Sequence, residues 1–336
     1  MKDRAVWVAF VLYLLFYVPL ILLSNGSGLP PLAVLPVSTA SCCVFALLVA
    51  AVGGWWRYAG PSRDRTAALR ASPATGAIVL LTPLAYAAAG AAVLATLTIQ
   101  KAGSILVTLW HKVGGTAQRP DGQALEVPAR VKLAAVLCVV AIVVAAYGNA
   151  IVGLVLGRGW SGGALSWAGL LIAGLYVVNY AWRVKMMVGH KSMAFYAIEH
   201  LLAPHFAMAV IGLAGLAGLA ARRAGTPIPL LEQIVLGFQL WDRLDLWALG
   251  LCSQAVGLAG GWILVDRALS VGAMTLNRSA ALLAGGIVLG INIFRGAEVT
   301  WSTLQHSLGA LTVPMVLVLM YGQNPAVVKE TPSTSA

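Results

Sequence analysis

Leu269–Phe294 reads LSVGAMTLNRSAALLAGGIVLGINIF, an apolar run broken near its first third by Asn277 and Arg278. Its length suits an α-helix crossing ~30 Å of hydrocarbon, which takes ~20 residues. A guanidinium at that depth costs at least ~2.5 to 3.5 kcal/mol on the insertion scale, so a membrane helix keeps one where it faces a cavity or a partner. If the whole run is one helix, the protein has a charged interior within the bilayer. If the helix starts at Ser279, Arg278 is an interfacial anchor. In both cases the segment belongs to a membrane, and the rest of the chain agrees.

Of 336 residues, 60% are hydrophobic and 10% charged, with a mean hydropathy of +0.87. A soluble domain carries roughly 25% charged residues, so there is too little polar side chain to cover a globule of this size. Lipid must supply the missing solvent, which excludes a soluble enzyme, a nucleic-acid binder and a secreted disulfide scaffold. The net charge of +11 sits in short loops, where it reports orientation and not a polyanion partner. Cys42, Cys43, Cys138 and Cys252 lie in apolar stretches without CxxC spacing, so no disulfide framework, metal site or cofactor is expected.

Further apolar stretches fall near 5–23, 33–54, 75–98, 132–157, 164–182, 194–221, 246–265 and 299–321, with a short one at 102–110 between Lys101 and His111. With 269–294 they predict an all-α integral membrane protein of about ten transmembrane helices. Lys2 and Arg4 precede the first stretch as in a signal peptide, but the stretch is too long and lacks a small-x-small site, so a retained helix is expected. Ten spans with the N-terminus inside put fifteen Lys and Arg on the cytoplasmic side, Arg183 and Lys185 among them, against six opposite, Lys101 among them. Both termini are therefore expected in the cytoplasm of a multi-pass protein, in a bacterial inner membrane. Thr226–Trp247 mixes apolar residues at helical spacing with Glu232, Asp242, Arg243 and Asp245, as an interfacial helix or an extension of the following span would.

Division near residue 160 gives two halves, 1–158 and 159–321, followed by a polar tail at 322–336 expected to be disordered. Thr108-Leu109-Trp110-His111 matches Thr275-Leu276-Asn277-Arg278 at two positions. Five spans per half force opposite orientations, the inverted-repeat plan of many secondary transporters. Trp262–Ala273, followed by Leu282–Leu289, a polar break at 295–303 and Gly309, resembles the last three helices of the drug/metabolite transporter superfamily in its ten-helix permease form. Gln100-Lys101-Ala102-Gly103-Ser104 is similar to the junction of that superfamily's third and fourth helices. Glu298 stands where many members carry Gly-Glu, and the loops at 54–74 and 111–131 are longer than theirs. The resemblance implies a permease whose two halves enclose a central cavity opening alternately to either side.

Candidate site residues follow from the embedded polar groups. Arg278 would grip an anionic substrate, phosphate or carboxylate, in bidentate fashion, with Asn277 beside it. His111 and Lys101 either join it in a cationic lining or cap a short helix at the two interfaces. Tyr180 and Asn179 could contact substrate or join helices by hydrogen bonds. Glu199 and His200 suit proton coupling, because burial moves a carboxyl toward neutral pH and His titrates there already. Alternatively, Glu199 snorkels and pairs with Lys191 or His200. The leading expectation is a transporter, and not an enzyme, for a small anionic or amphiphilic metabolite. Its partners are that small-molecule or lipid-linked substrate and membrane lipids, with no nucleic acid. The alternatives are a flippase for a lipid-linked substrate, or a membrane enzyme or haem protein using Glu199, His200, His205, His111 and His306.

Overall fold

The computed structural model describes residues 2–89, 92–114, 129–159, 167–187, 190, 192–266, 271–299, 303 and 306–313. At 2–7, 108–114, 130–131, 264–266, 271–276 and 279 it describes backbone alone. The tail at 322–336 lies outside the described residues. Among the described residues the fold is all-helical, with no strand. The helices are α1 (Lys2–Gly26), α2 (Leu35–Val52), α3 (Arg63–Ala89), α4 (Val93–Gly114), α5 (Ala129–Val155), α6 (Trp167–Met187), α7 (Met193–Arg223), α8 (Pro229–Gly237), α9 (Leu244–Asp266) and α10 (Val271–Phe294). Residues 306–313 are helical as well.

Among the described residues, six of these helices are long and apolar enough to cross a membrane: α1, α2, α3, α5, α7 and α9. Burial is distributed the wrong way round for water. Gln100, Lys101, Arg183, Glu199, His200, Asn277 and Arg278 are buried, while Val178, Val210, Leu213 and Leu216 are exposed. An apolar exterior around a polar interior is stable only in an apolar solvent. An all-helical chain with such a surface fits an integral membrane protein.

Three sequence expectations shift in detail. The run at 75–98 is not one span: α3 ends at Ala89 and α4 starts at Val93. The fourth helix is therefore not the short 102–110 segment, and Lys101 falls inside α4 instead of at its end. Asn277 and Arg278 lie within α10, so Arg278 is not outside a helix starting at Ser279. The segment 226–247 holds a separate nine-residue helix, α8, and is not a continuous extension of α9.

Packing places α3 between α6 and α7, α2 between α7 and α9, α1 against α9 and α10, and α4 against α5, α6 and α10. In two of these contacts a glycine meets the facing helix's backbone. A Cβ on Gly76 of α3 would lie 2.6 Å from the Ala203 carbonyl oxygen of α7, and one on Gly250 of α9 would overlap the Ser38 carbonyl of α2. Only a residue without a side chain lets the backbones approach so closely. Pro73, Pro83 and Pro204 lie inside α3 and α7, and Gln254 of α9 donates to the His200 carbonyl that Pro204 leaves free. Gly225 (φ +74°) and Gly296 (φ +93°) end α7 and α10 in left-handed turns.

Candidate functional site

The central feature is a cavity of about 90 Å³, lined from α1, α3, α4, α6, α7, α9 and α10. Lys101 of α4 is 2% exposed and donates from Nζ to the Tyr176 hydroxyl at 3.2 Å. Its ammonium lies 5.3 Å from the ring centre of Tyr17 and 5.1 Å from that of Tyr176. Arg278 of α10 is 4% exposed, with its guanidinium 4.5 Å above the Tyr180 ring. The negative face of an aromatic ring attracts a cation, most strongly where water is excluded. Among the described residues, neither Lys101 nor Arg278 takes part in an ion pair.

A third cation is fully matched. Arg183 of α6 donates from Nε and Nη2 to the two carboxylate oxygens of Glu199 on α7 at 2.7 and 2.8 Å, and the Thr75 hydroxyl of α3 donates to Oε1 at 2.7 Å. Glu199 thereby neutralises Arg183, leaving the positive charges of Lys101 and Arg278 over. Burying an unmatched charge is costly, so ring faces and hydroxyls soften a deficit that an anion would remove.

Several polar atoms here are buried with no hydrogen-bond partner among the described residues: Arg278 Nε, Asn277 Oδ1, Tyr180 OH, His200 Nε2 and Gln100 Nε2. Native interiors leave few such groups, because each costs about 1–3 kcal/mol. The first four belong to cavity-lining residues. A ligand with an anionic group and a hydroxyl or amine could engage both the donors and the Asn277 acceptor. The α9 wall is kept thin by glycine. A Cβ on Gly260 would come within 2.7 Å of Asn277 Nδ2 and 2.9 Å of the Tyr13 ring.

Of the residues singled out from sequence, Lys101, Tyr180, His200, Asn277 and Arg278 line this one cavity. Glu199 adjoins it, held by Arg183 and Thr75 and not by His200, while Lys191 lies outside the described residues. His111 lies on α4, ten residues or ~15 Å of helix beyond Lys101, and its side chain is outside the described residues. His205 bonds the Leu201 carbonyl at 2.7 Å and Asn179 the Leu175 carbonyl at 2.8 Å, each within its own helix. His306 is buried away from the cavity. No group of three or more His, Cys, Asp or Glu able to hold a metal occurs among the described residues.

Sequence reasoning passed over Tyr13, Tyr17, Tyr176, Arg183 and Thr75. The available signal was a pair of tyrosines four apart in α1, Tyr13 and Tyr17, and again in α6, Tyr176 and Tyr180. Four residues is one turn, so each pair presents two rings on one helix face. No protein-family model and no curated protein matches this chain.

Proposed function

We propose that the protein is a ten-helix permease of the drug/metabolite transporter type, carrying a small organic anion by alternating access between two inverted five-helix halves. The observation that carries this proposal is the pair of buried cations without counter-charge, Lys101 and Arg278, facing one cavity between helices of both halves. The tenth span would contain residues 306–313. Removing Lys101 and Arg183 from the loop charges takes one from each side, so the positive-inside bias still puts both termini in the cytoplasm. With Glu199 engaged by Arg183, His200 is the better candidate for proton coupling.

The packing supports the repeat. If α1 to α5 correspond to α6, α7, α9, α10 and the 306–313 helix, neighbours map onto neighbours. The α1–α9 contact becomes α6–α3, α1–α10 becomes α6–α4, and α3–α7 becomes α9–α2. The same exchange carries Tyr13/Tyr17 to Tyr176/Tyr180 and the Gly76 contact to the Gly250 contact. It also aligns Gln100-Lys101, the eighth and ninth residues of α4, with Asn277-Arg278, the seventh and eighth of α10, a better register than one matching His111 to Arg278.

A flippase for a lipid-linked substrate is the second reading, favoured by an apolar groove of about 440 Å³ on the flank, lined by Leu12, Phe16, Phe45, Tyr196, Leu258 and Trp262 among others. Tyr196 lies 4.7 Å from His200, ring centre to ring centre, so one layer of side chains separates groove from cavity. Thermal stabilisation of the purified protein by a panel of organic anions, in wild type and Arg278→Ala, tests the proposal. Anions should stabilise the wild type only, and one that does so should be taken up by proteoliposomes. An unchanged shift in the variant removes Arg278 from the site, and movement of labelled lipid without solute uptake favours the flippase.

A further inference from the structure

A second basic feature lies outside the cavity, where α3 begins and α6 ends. A groove of about 440 Å³ is lined there by Arg63, Thr66 and Arg70 of α3 and by Lys185, Met186 and His190. Arg63, Arg70 and Lys185 are exposed, and among the described residues none is in an ion pair. The nearby carboxylate, Asp64, forms an ion pair with none of them. One of its oxygens meets His190 Nδ1 at 2.9 Å and the other accepts from the Ser192 hydroxyl, the same hydroxyl that caps α7 by accepting from the Phe195 N–H at 3.2 Å. Three exposed cations therefore border one groove, outnumbering the single carboxylate, Asp64, that lies beside it.

Exposed cations at a helix end ordinarily form a solvated face, but two observations set this group apart. The first is depth. Trp182, one turn before Lys185, donates its indole N–H to the Arg70 carbonyl at 3.2 Å, and the Lys185 ammonium lies 5.6 Å over its ring. Tryptophan at the end of an apolar helix marks the headgroup layer, and Trp167 stands exposed at the other end of α6. The second is continuity. Leu171, Leu175, Val178 and Trp182 are all exposed, and their spacing places them in one stripe along α6 that leads to Lys185. The apolar surface thus runs from mid-helix directly into the basic groove.

We infer that this groove binds the headgroup of an anionic phospholipid, with an acyl chain lying along the α6 stripe. Arginine matches phosphate oxygens bidentately, and basic pockets between helices at the cytoplasmic interface suit such headgroups. A free phosphate would meet the cations but leave the stripe without a role. A zwitterionic lipid would bring its own cation into a site that already holds three.

Delipidated full-length protein titrated with phosphatidylglycerol, phosphatidylcholine or glycerol phosphate, with thermal shift and native mass spectrometry as readouts, tests the inference. Phosphatidylglycerol should bind saturably and phosphatidylcholine at least about tenfold more weakly. Arg70→Gln/Lys185→Gln should weaken phosphatidylglycerol by roughly ten- to thirtyfold, whereas Arg222→Gln/Arg223→Gln, at the far end of α7, should not. Salt from about 50 to about 500 mM should weaken binding to the unmodified protein, so a poorly folding variant leaves the test intact. Equal binding of both lipids, an affinity indifferent to salt, or full competition by glycerol phosphate would each overturn it.

Discussion

The Arg183–Glu199 pair offers the sharpest test of the interior. Its side chains are 10% and 1% exposed, and two charge-assisted hydrogen bonds join them, with Thr75 adding a third to the carboxylate. Replacing Glu199 by Leu strands a buried guanidinium, and replacing Arg183 by Met strands a buried carboxylate; removing one partner of a buried pair costs about 3–5 kcal/mol. Replacing both leaves no orphan charge, because the Thr75 hydroxyl can turn to a carbonyl one turn back in α3, and the double variant should lie within about 1–2 kcal/mol of wild type. The coupling energy should therefore exceed about 3 kcal/mol, well above the ~0.6 kcal/mol average for hydrogen bonds between membrane helices. Reversible unfolding in mixed micelles, on wild type, both single variants and the double, measures it. A coupling below about 1 kcal/mol would refute the claim that Glu199 is committed to Arg183 and restore it as a free carboxyl.

The exposed Arg222–Glu232 pair, with side chains 54% and 24% exposed, should show coupling of at most about 1 kcal/mol in the same measurement, since water screens it. Gly250→Ala should lower stability by about 1–3 kcal/mol because its methyl would overlap the α2 backbone. Gly174→Ala and Gly212→Ala, where nothing lies within 4 Å of the new atom, should be neutral or stabilising by unfolding midpoint. Tyr180→Phe should keep the ring under Arg278 and Tyr180→Leu should lose about 0.5–2 kcal/mol more, read as a difference in unfolding free energy. Cys42 and Cys138 are buried at 2% and 0% exposure, so maleimide should label them only after unfolding, as peptide mapping would show.

How well the residues could be read from sequence followed their distance from an apolar boundary. Arg278 was legible because a charge deep in an apolar run has few explanations. Lys101 stood at the edge of one, since the hydropathy of α3 and α4 runs together from one helix into the next; a charge at an apparent helix end resembles a cap. Arg183 was hidden for the same reason. It follows Ala181-Trp182 at the close of an apolar stretch and is indistinguishable there from a loop anchor, although α6 continues to Met187 and carries the guanidinium inward. The tyrosines gave no charge signal at all, because a phenol costs little to bury beside other aromatics. Their meaning lay in the recurrence of the four-residue spacing, which hydropathy averages away. The helical class itself was plain, since composition leaves no solvent but lipid, whereas boundaries depended on backbone breaks that hydropathy does not register.

For a permease, the two cations in the central cavity, Lys101 and Arg278, make the resting voltage of the cell a participant in each cycle. Each elementary charge carried across the full drop is worth ~2.3 kcal/mol per 100 mV. A dianionic cargo would cancel both, so the loaded reorientation would be electrically silent and the unloaded return would sense the field. A monoanion would leave one charge uncancelled in the forward step, and cargo charge would then set which half of the cycle the cell's polarisation drives.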